Sequence, residues 1–493
     1  MTYLESIAAF IDTKFDLSRC AQYRIYPKSV HTNGGCTALI YQGEAQDMIV
    51  ASAGYGFTGE PFSAGGGQWV VGLEDHENGC AIRQVFPFTA PRTVLREKRT
   101  VGVGDRLGIA TPGHIRVFEQ YDAYPVFAQQ SMRELNLTGR NYEDVLDCAS
   151  FAVFREDYQR GFGADGDHLK TPEEVEYALA CGYTMITLDC SEYIRNEASA
   201  YSDEMVARAY VPDAGLEERY VGKCFQVGAY AVHFAAPAFR RMCLIYNAAI
   251  DFAVSIYERF IHGRDVDFEI SIDETQTPTQ PEQHFYVANE LMRRGVRPAT
   301  IAPRFIGAFQ KGIDYIGSLN EFEADFQIHA AIADTFGYKL SIHSGSDKFS
   351  VFPIVGKATS GRFHVKTAGT SWLEAMAVVA AHSPGLYREI HSFVLPDAFY
   401  EAEKYYHVTT NLNNIPDLCT LHDEELPALL QNNDERQLIH ITYGPILNAK
   451  RPDGSYRFRS RLFDLWRQYQ DQYAARLERH IGSHLQLLYQ HIH

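Results

Sequence analysis

Residues 161–182, GFGADGDHLKTPEEVEYALACG, set a short strand-like run, a polar end and a capped helix in direct succession. Thr171 suits the N-cap, Pro172 suits the first helical position, Glu174 completes a capping box and Gly182 suits the stop. The unit recurs in RFHVKTAGTSWLEAMAVVAAH, where Ser371 and Glu374 stand three apart before an apolar run. A chain that repeats strand and helix in this order is restricted to parallel strands with helices packed on their faces. Eight strand candidates follow: 99–110, 161–168, 184–190, 266–274, 299–305, 314–319, 339–344 and 362–367. Helical stretches follow most of them, such as 281–294 closed by Gly295, 321–336 closed by Gly337, and 371–382.

Eight such units predict an α/β fold of the (β/α)8 TIM-barrel type over residues 99–408, with an insertion, 191–262, in the third unit. Residues 1–98, with Gly-rich turns and runs such as MIVASAGYGF, read as a β-rich N-terminal extension. Residues 409–493 read as mainly helical, most clearly in SRLFDLWRQYQDQYAARLERHI. A chain of 493 residues with 46% hydrophobic content has enough apolar material for such a core. The net charge of -17 argues against a nucleic-acid or anionic-membrane partner, because both repel such a surface. Nine cysteines without a C-x-x-C pair indicate neither a disulfide framework nor a zinc ribbon, and fit a reducing cytoplasm. The N-terminus has no signal-peptide pattern. The longest apolar stretch, 229–257, is broken by His233, Arg240, Arg241 and Asp251, too polar for a bilayer span. The expectation is a cytoplasmic protein, and an oligomer is compatible with it.

Strand side chains alternate between two faces. In FEISIDE, Phe268, Ile270 and Ile272 share one face and Glu269, Ser271 and Asp273 the other. In KLSIH, Ser341 and His343 oppose Leu340 and Ile342; in RFHVK, His364 and Lys366 oppose Phe363 and Val365. In a barrel the outer face packs on helices, so the polar set points inward. Reaction chemistry in barrels sits at the carboxyl ends of the strands. Asp165, Asp167, His168, Asp189, Asp273, Glu274, Arg304, His343 and Lys366 all stand at such ends.

Histidines and carboxylates converging there suit a divalent metal with nitrogen and oxygen ligands, Zn, Mn, Ni or Co. His168 and His343 are the leading ligand candidates; His329, early in a helix, and His364, deeper in its strand, are two more. Asp167 beside His168 offers a base next to a Lewis acid, with Asp273 or Glu274 as the opposing acid. Arg304, Lys348 and Lys366 supply cations for an anionic group, and HSGSDK, with Ser344 and Asp347, supplies further polar contacts. That place binds phosphate in many barrels, and a carboxylate fits equally. GVGDRLG at 102–108 lacks the third-glycine spacing of a dinucleotide site.

The segments VGVGDRLGIATPGHI, GFGADGDHLKT, SIDETQTPT and HSGSDKFSVFPIVGKAT together resemble the bacterial tagaturonate epimerase family over about residues 95–450. The resemblance implies interconversion of D-tagaturonate and D-fructuronate in hexuronate breakdown, dependent on a divalent metal. It also implies Asp167 as proton acceptor, His168 as metal ligand, a carboxylate of SIDET as proton donor, and later histidines completing the site. Retro-aldol cleavage with re-addition and acid/base exchange at the inverted carbon both remain open. A related isomerase or aldolase acting on neutral ketoses is the rival reading.

Overall fold

The computed structural model describes residues 2–492, and its centre is a closed barrel of eight parallel strands. In chain order these are β1 (Arg99–Val103), β2 (Tyr124–Ser131), β3 (Gly163–Leu169), β4 (Met185–Asp189), β5 (Asp267–Ile272), β6 (Thr300–Pro303), β7 (Lys339–Ile342) and β8 (Phe363–Thr367). The circle closes where β8 pairs with β1, Phe363 opposite Arg99 and Thr367 opposite Val103. Alternation along the strands sets the two faces. Phe268, Ile270, Ile272, Leu340 and Ile342 are buried in the apolar core with the surrounding helices, and the intervening polar residues turn to the barrel axis.

Seven of the strand expectations coincide with barrel strands, and one is corrected. Residues 314–319 form no strand: Ile316 makes only an isolated bridge to Ala308, and Ser318 caps the helix Leu319–Phe336 by accepting from Glu321 N–H. The missing strand is β2, YPVFAQQS, whose three consecutive apolar residues and paired glutamines carry no period-two signal because both of its faces are buried. The insertion at 191–262 therefore follows the fourth strand rather than the third.

That insertion holds a hairpin, Cys224–Val227 with Tyr230–His233, and a long helix, Ala236–Ile256. It packs on the outer helical layer. Tyr220 is buried against Phe239 and against Tyr286 of the helix Pro281–Arg293. None of its described residues lines the cavities at the barrel mouth. The far rim of the mouth comes from Tyr405, Tyr406, His407, Ile441 and Pro445.

Before the barrel stands a five-stranded antiparallel sheet ordered His31–Asn33, Cys36–Tyr41, Met48–Ser52, Gly67–Leu73, Glu60–Ala64. After it, helices pack around Trp372 and Trp466, whose indole N–H groups donate to the carbonyls of Ile439 and Ala375. No helix among the described residues is long and apolar enough to cross a membrane.

The C-terminal helix Gln470–Tyr489 lies against the helices Thr111–Phe118 and Phe352–Ala358. A Cβ at Gly356 would overlap the Leu488 carbonyl, whereas one at Gly482 of the same C-terminal helix meets nothing within 4 Å. Gly356→Ala is therefore expected to destabilise the protein by about 1–3 kcal/mol. Gly482→Ala is expected to stabilise it by about 0.5–1 kcal/mol. Chemical denaturation midpoints of the two variants check the opposite signs.

Candidate active site and metal centre

The barrel axis is filled with charge. Lys366 on β8 places its ammonium 2.7 Å from Asp165 Oδ2, 2.7 Å from Asp167 Oδ1 and 2.9 Å from Glu269 Oε1. Thr187 on β4 donates to Asp165 at 2.9 Å and to Glu269 at 3.2 Å. Burial opposes the Lys366 charge, but the three carboxylates hold its pKa well above the usual value. Burial also pushes Asp165 up to about 7, with Lys366 opposing and Asp167 and Glu269 adding to the rise. At Asp167 and Glu269 burial is outweighed: Lys366 and His168 depress the first, Lys366 and His343 the second.

At the carboxyl ends of the strands, His168, Asp273 and His343 bring one ligand atom each within 4.8 Å of the others. Each histidine is held from behind. His168 Nδ1 lies 2.8 Å from Asp167 Oδ1, and His343 Nε2 lies 2.7 Å from Glu269 Oε1. A carboxylate on one ring nitrogen orients the ring and presents the other nitrogen, the usual support of a metal-ligating histidine. That leaves His168 Nε2 and His343 Nδ1 for the mouth; the latter is buried and faces Asp273 Oδ2 at 3.3 Å.

Plain alternation would send Asp167 and His168 to opposite faces. A register shift between Gly166 and Leu169 breaks the β3–β4 ladder here, and His168 takes a left-handed backbone, φ 56°. Such a conformation costs a non-glycine residue about 1–2 kcal/mol. Ser344 and Asp347, after β7, are left-handed too, at φ 49° and 63°.

The donor set fits a divalent cation on two counts. Two imidazole nitrogens and one carboxylate oxygen match the ligand chemistry of Zn, Mn, Ni or Co. The charge also asks for one: Asp165, Asp167 and Glu269 share a single fixed cation, Lys366, and Asp273 faces only His343, which leaves three negative charges if all four carboxylates are ionised and His343 is neutral. Burial works against a charged His343, yet Asp273 and Glu269 raise its pKa to about 10.

A small cavity of about 100 Å³ opens over this group. Asp167, Glu274, Ser344 and Lys366 line it, as do Gln129, Lys311 and Ser346. Arg304 lines the wider cleft outside and bonds the Thr275 carbonyl. Other expected site residues do not join the triad. His364 is fully buried within the barrel, 2.9 Å from Thr100 Oγ1, and burial lowers its pKa to about 3. His329 is fully buried between helices, 2.9 Å from His284. Lys348 is turned away from the cavity: its ammonium donates to the carbonyls of Gln310, Ile313 and Ser346, and burial lowers its pKa to about 7. Asp347 is paired with Arg436 at 2.7 Å and His480 at 2.5 Å.

Asp347, His480 and His484 form a second close group, but its donors are spent within the protein. Asp347 N–H donates to His484 Nε2, and His484 Nδ1 donates to the His480 carbonyl. The group fastens the loop after β7 to the C-terminal helix. Lys311 was not anticipated from sequence, because a strand at 314–319 shortened what is one continuous loop after β6. Correct placement of β2 would have put Lys311 at the mouth.

Lys366→Met is expected to leave buried carboxylates without a counter-charge and to cost about 3–5 kcal/mol of stability. Urea unfolding of the metal-free protein measures it. A loss near zero would show that the carboxylates share protons instead.

A family model for tagaturonate epimerase matches residues 26–488. The chain is 40% identical over 475 residues to the tagaturonate/fructuronate epimerase of Thermotoga maritima, covering 94% of this chain and 97% of that protein. It superposes on the native crystal structure of the fructuronate-tagaturonate epimerase UxaE from Cohnella laeviribosi with a TM-score of 0.92 at 50% identity, over 98% of this chain and 99% of that one. A one-glycerol complex of the same enzyme gives the same TM-score and identity, covering 97% of this chain and 99% of that chain. With a closed (β/α)8 barrel and these relatives over nearly its whole length, the chain belongs to the tagaturonate epimerase family of carbohydrate isomerases.

Proposed function

We propose that this chain is a metal-dependent epimerase that interconverts D-tagaturonate and D-fructuronate, with the ion held by His168, Asp273 and His343. The observation that carries the metal is the orientation of both imidazoles by buried carboxylates, with the remaining His343 nitrogen and Asp273 turned to one another at the mouth, 3.3 Å apart. Asp273 then serves as a ligand rather than as the opposing acid. The reading keeps the expectation of a cytoplasmic enzyme of hexuronate breakdown acting on a soluble anionic sugar.

The inverted carbon lies one bond beyond the position that the ketone acidifies, so enolisation alone does not reach it. Retro-aldol chemistry does. The hydroxyl proton on that carbon leaves to a carboxylate, the hydroxyl oxygen becomes a carbonyl, and the bond to the carbon next to the ketone breaks. Its electron pair is delocalised into an enediolate. The aldehyde fragment turns its other face, the bond re-forms and the new alkoxide takes a proton. A divalent ion held by His168, Asp273 and His343 would supply Lewis-acid stabilisation of the negative charge that develops on cleavage.

Inversion moves the hydroxyl from one side of the carbon to the other, so the proton leaves on one side and returns on the other. Asp167 from β3 and Glu274 from the loop after β5 line the same cavity and suit these two tasks. Lys366 and His168 keep Asp167 ionised, so it meets the substrate as a base. Ser344 at the same cavity and Arg304 in the outer cleft complete the polar lining for the sugar.

Stripping the protein with chelator and adding back Mn, Ni, Zn or Co singly should abolish and then restore conversion of D-tagaturonate to D-fructuronate. A folded protein that converts nothing with any of them overturns the reading. Glu269→Gln, which weakens the support behind His343, is expected to lower metal affinity about 10–100-fold, read by competition with a chelating dye. Deuterium from solvent appearing on the inverted carbon would count against the retro-aldol route; its absence, with a trapped three-carbon fragment, supports it.

A further inference from the structure

A hexuronate differs from a neutral hexulose by one carboxylate, and the cavity that would receive it is ringed with negative charge. A cation with free donors is needed. Lys366 is occupied by three carboxylates and Lys348 by three carbonyls. In the outer cleft Lys170 faces Asp189 at 3.4 Å and Arg106 faces Glu134 at 2.8 Å. Arg304 and Arg133, which have no carboxylate in range among the described residues, bond the carbonyls of Thr275 and Tyr405 outside the inner cavity. Among the described residues lining the inner cavity, Lys311 is the one cation with no carboxylate in salt-bridge range. Its ammonium makes one hydrogen bond, to Ser344 Oγ at 3.2 Å, and so keeps donors to spare.

The loop that carries Lys311 is fixed with unusual completeness. Lys348 binds the carbonyls of Gln310 and Ile313 at 2.8 and 2.5 Å, Gln437 binds that of Lys311 at 3.3 Å, and Arg436 binds that of Gly312 at 2.6 Å. Four successive carbonyls are thereby held, three of the four by charged side chains. A flexible surface lysine has no use for such anchoring; a lysine that must meet an anion at one place does. Ser346, whose hydroxyl oxygen accepts Ala368 N–H at 3.3 Å, stands on the same wall with its own proton free.

Resting on the uronate reading above, we propose that Lys311, with the hydroxyls of Ser344 and Ser346, is the subsite that binds the sugar's carboxylate and sets the preference for uronates over neutral ketoses. The same contact tethers the carboxylate-bearing fragment while its carbon–carbon bond is open. Its task is binding and orientation; no bond is made or broken at the lysine.

The test uses the metal-loaded full chain, with Lys311→Met and Lys311→Arg beside it. Calorimetry measures D-gluconate, an anionic open-chain probe, and sorbitol, its neutral counterpart, and steady-state assays give kcat and KM for D-tagaturonate. A hydrogen bond to a charged group predicts that Lys311→Met weakens gluconate binding and raises KM about 10–100-fold, leaves sorbitol unchanged and moves kcat little. Lys311→Arg should recover most of the affinity. Equal weakening of gluconate and sorbitol, an unchanged KM, or a wild type that binds the two probes alike each overturns the proposal. Should the wild type fail to convert tagaturonate, the epimerase reading falls, while the gluconate and sorbitol comparison still decides whether Lys311 is an anion subsite.

Discussion

The ammonium of Lys366 among three buried carboxylates is the interaction on which the rest of this barrel depends. Barrel interiors are commonly filled by branched apolar side chains, which need no partners. Here Asp165, Thr187, Glu269, His364 and Lys366 occupy that space, and every charge must be answered by another. The answer is incomplete by design of the sequence: one lysine cannot neutralise the carboxylates beneath and around it. The surplus emerges at the carboxyl ends, where two histidines and Asp273 can share a dication. The stability of the interior and the charge at the mouth are thus one electrostatic problem.

That problem recurs for the substrate. A field negative enough to hold a divalent ion also repels a uronate carboxylate, unless a cation meets it elsewhere in the cavity. Lys311 occupies that position without disturbing the Lys366 cluster, because it arrives on the loop after β6 rather than on a strand. The chain devotes a second set of charges to holding this loop and the one after β7. Lys348, Arg436, Asp347 and His480 have no place on the cavity wall, yet they fix residues that do. Charged residues in the two loops therefore divide into those that face the sugar and those that face the backbone.

Sequence alternation made much of this legible. Parity along β5, β7 and β8 sets Glu269, Asp273, His343 and Lys366 inward, and the capping box of Thr171 and Glu174 marks one surrounding helix. Ser371 and Glu374 form no such box, because the helix Thr370–His382 begins before them without a side-chain cap and Ser371 donates to the Gly104 carbonyl. What alternation does not show is where it fails. His168 faces the mouth beside Asp167 only because the ladder slips and its backbone turns left-handed, a departure invisible in the letters. β2 escaped notice for the converse reason, since a strand buried on both faces has no polar phase to read. Misplacing it concealed Lys311. Lysine and histidine letters alone also say nothing about partners: Lys348 and His364 sit near the right strand ends, and only packing shows one spent on carbonyls and the other enclosed below the site.

The left-handed residues carry a further consequence for the chemistry. His168, Ser344 and Asp347 each hold a conformation that costs a non-glycine residue about 1–2 kcal/mol. Such strain persists only where neighbours over-determine it, and all three are tied by charge: His168 to Asp167, Ser344 to Lys311, Asp347 to Arg436 and His480. The retro-aldol route proposed above would need room for one fragment to turn while its anchors stay fixed. Fixed residues around the cavity would meet that need, because a fragment can rotate about its tether while the wall does not drift. Ser344 directly follows His343 and bonds Lys311, so one strained residue joins the histidine pair to the loop after β6, while the solvent-facing Glu274 lies on a loop between secondary-structure elements.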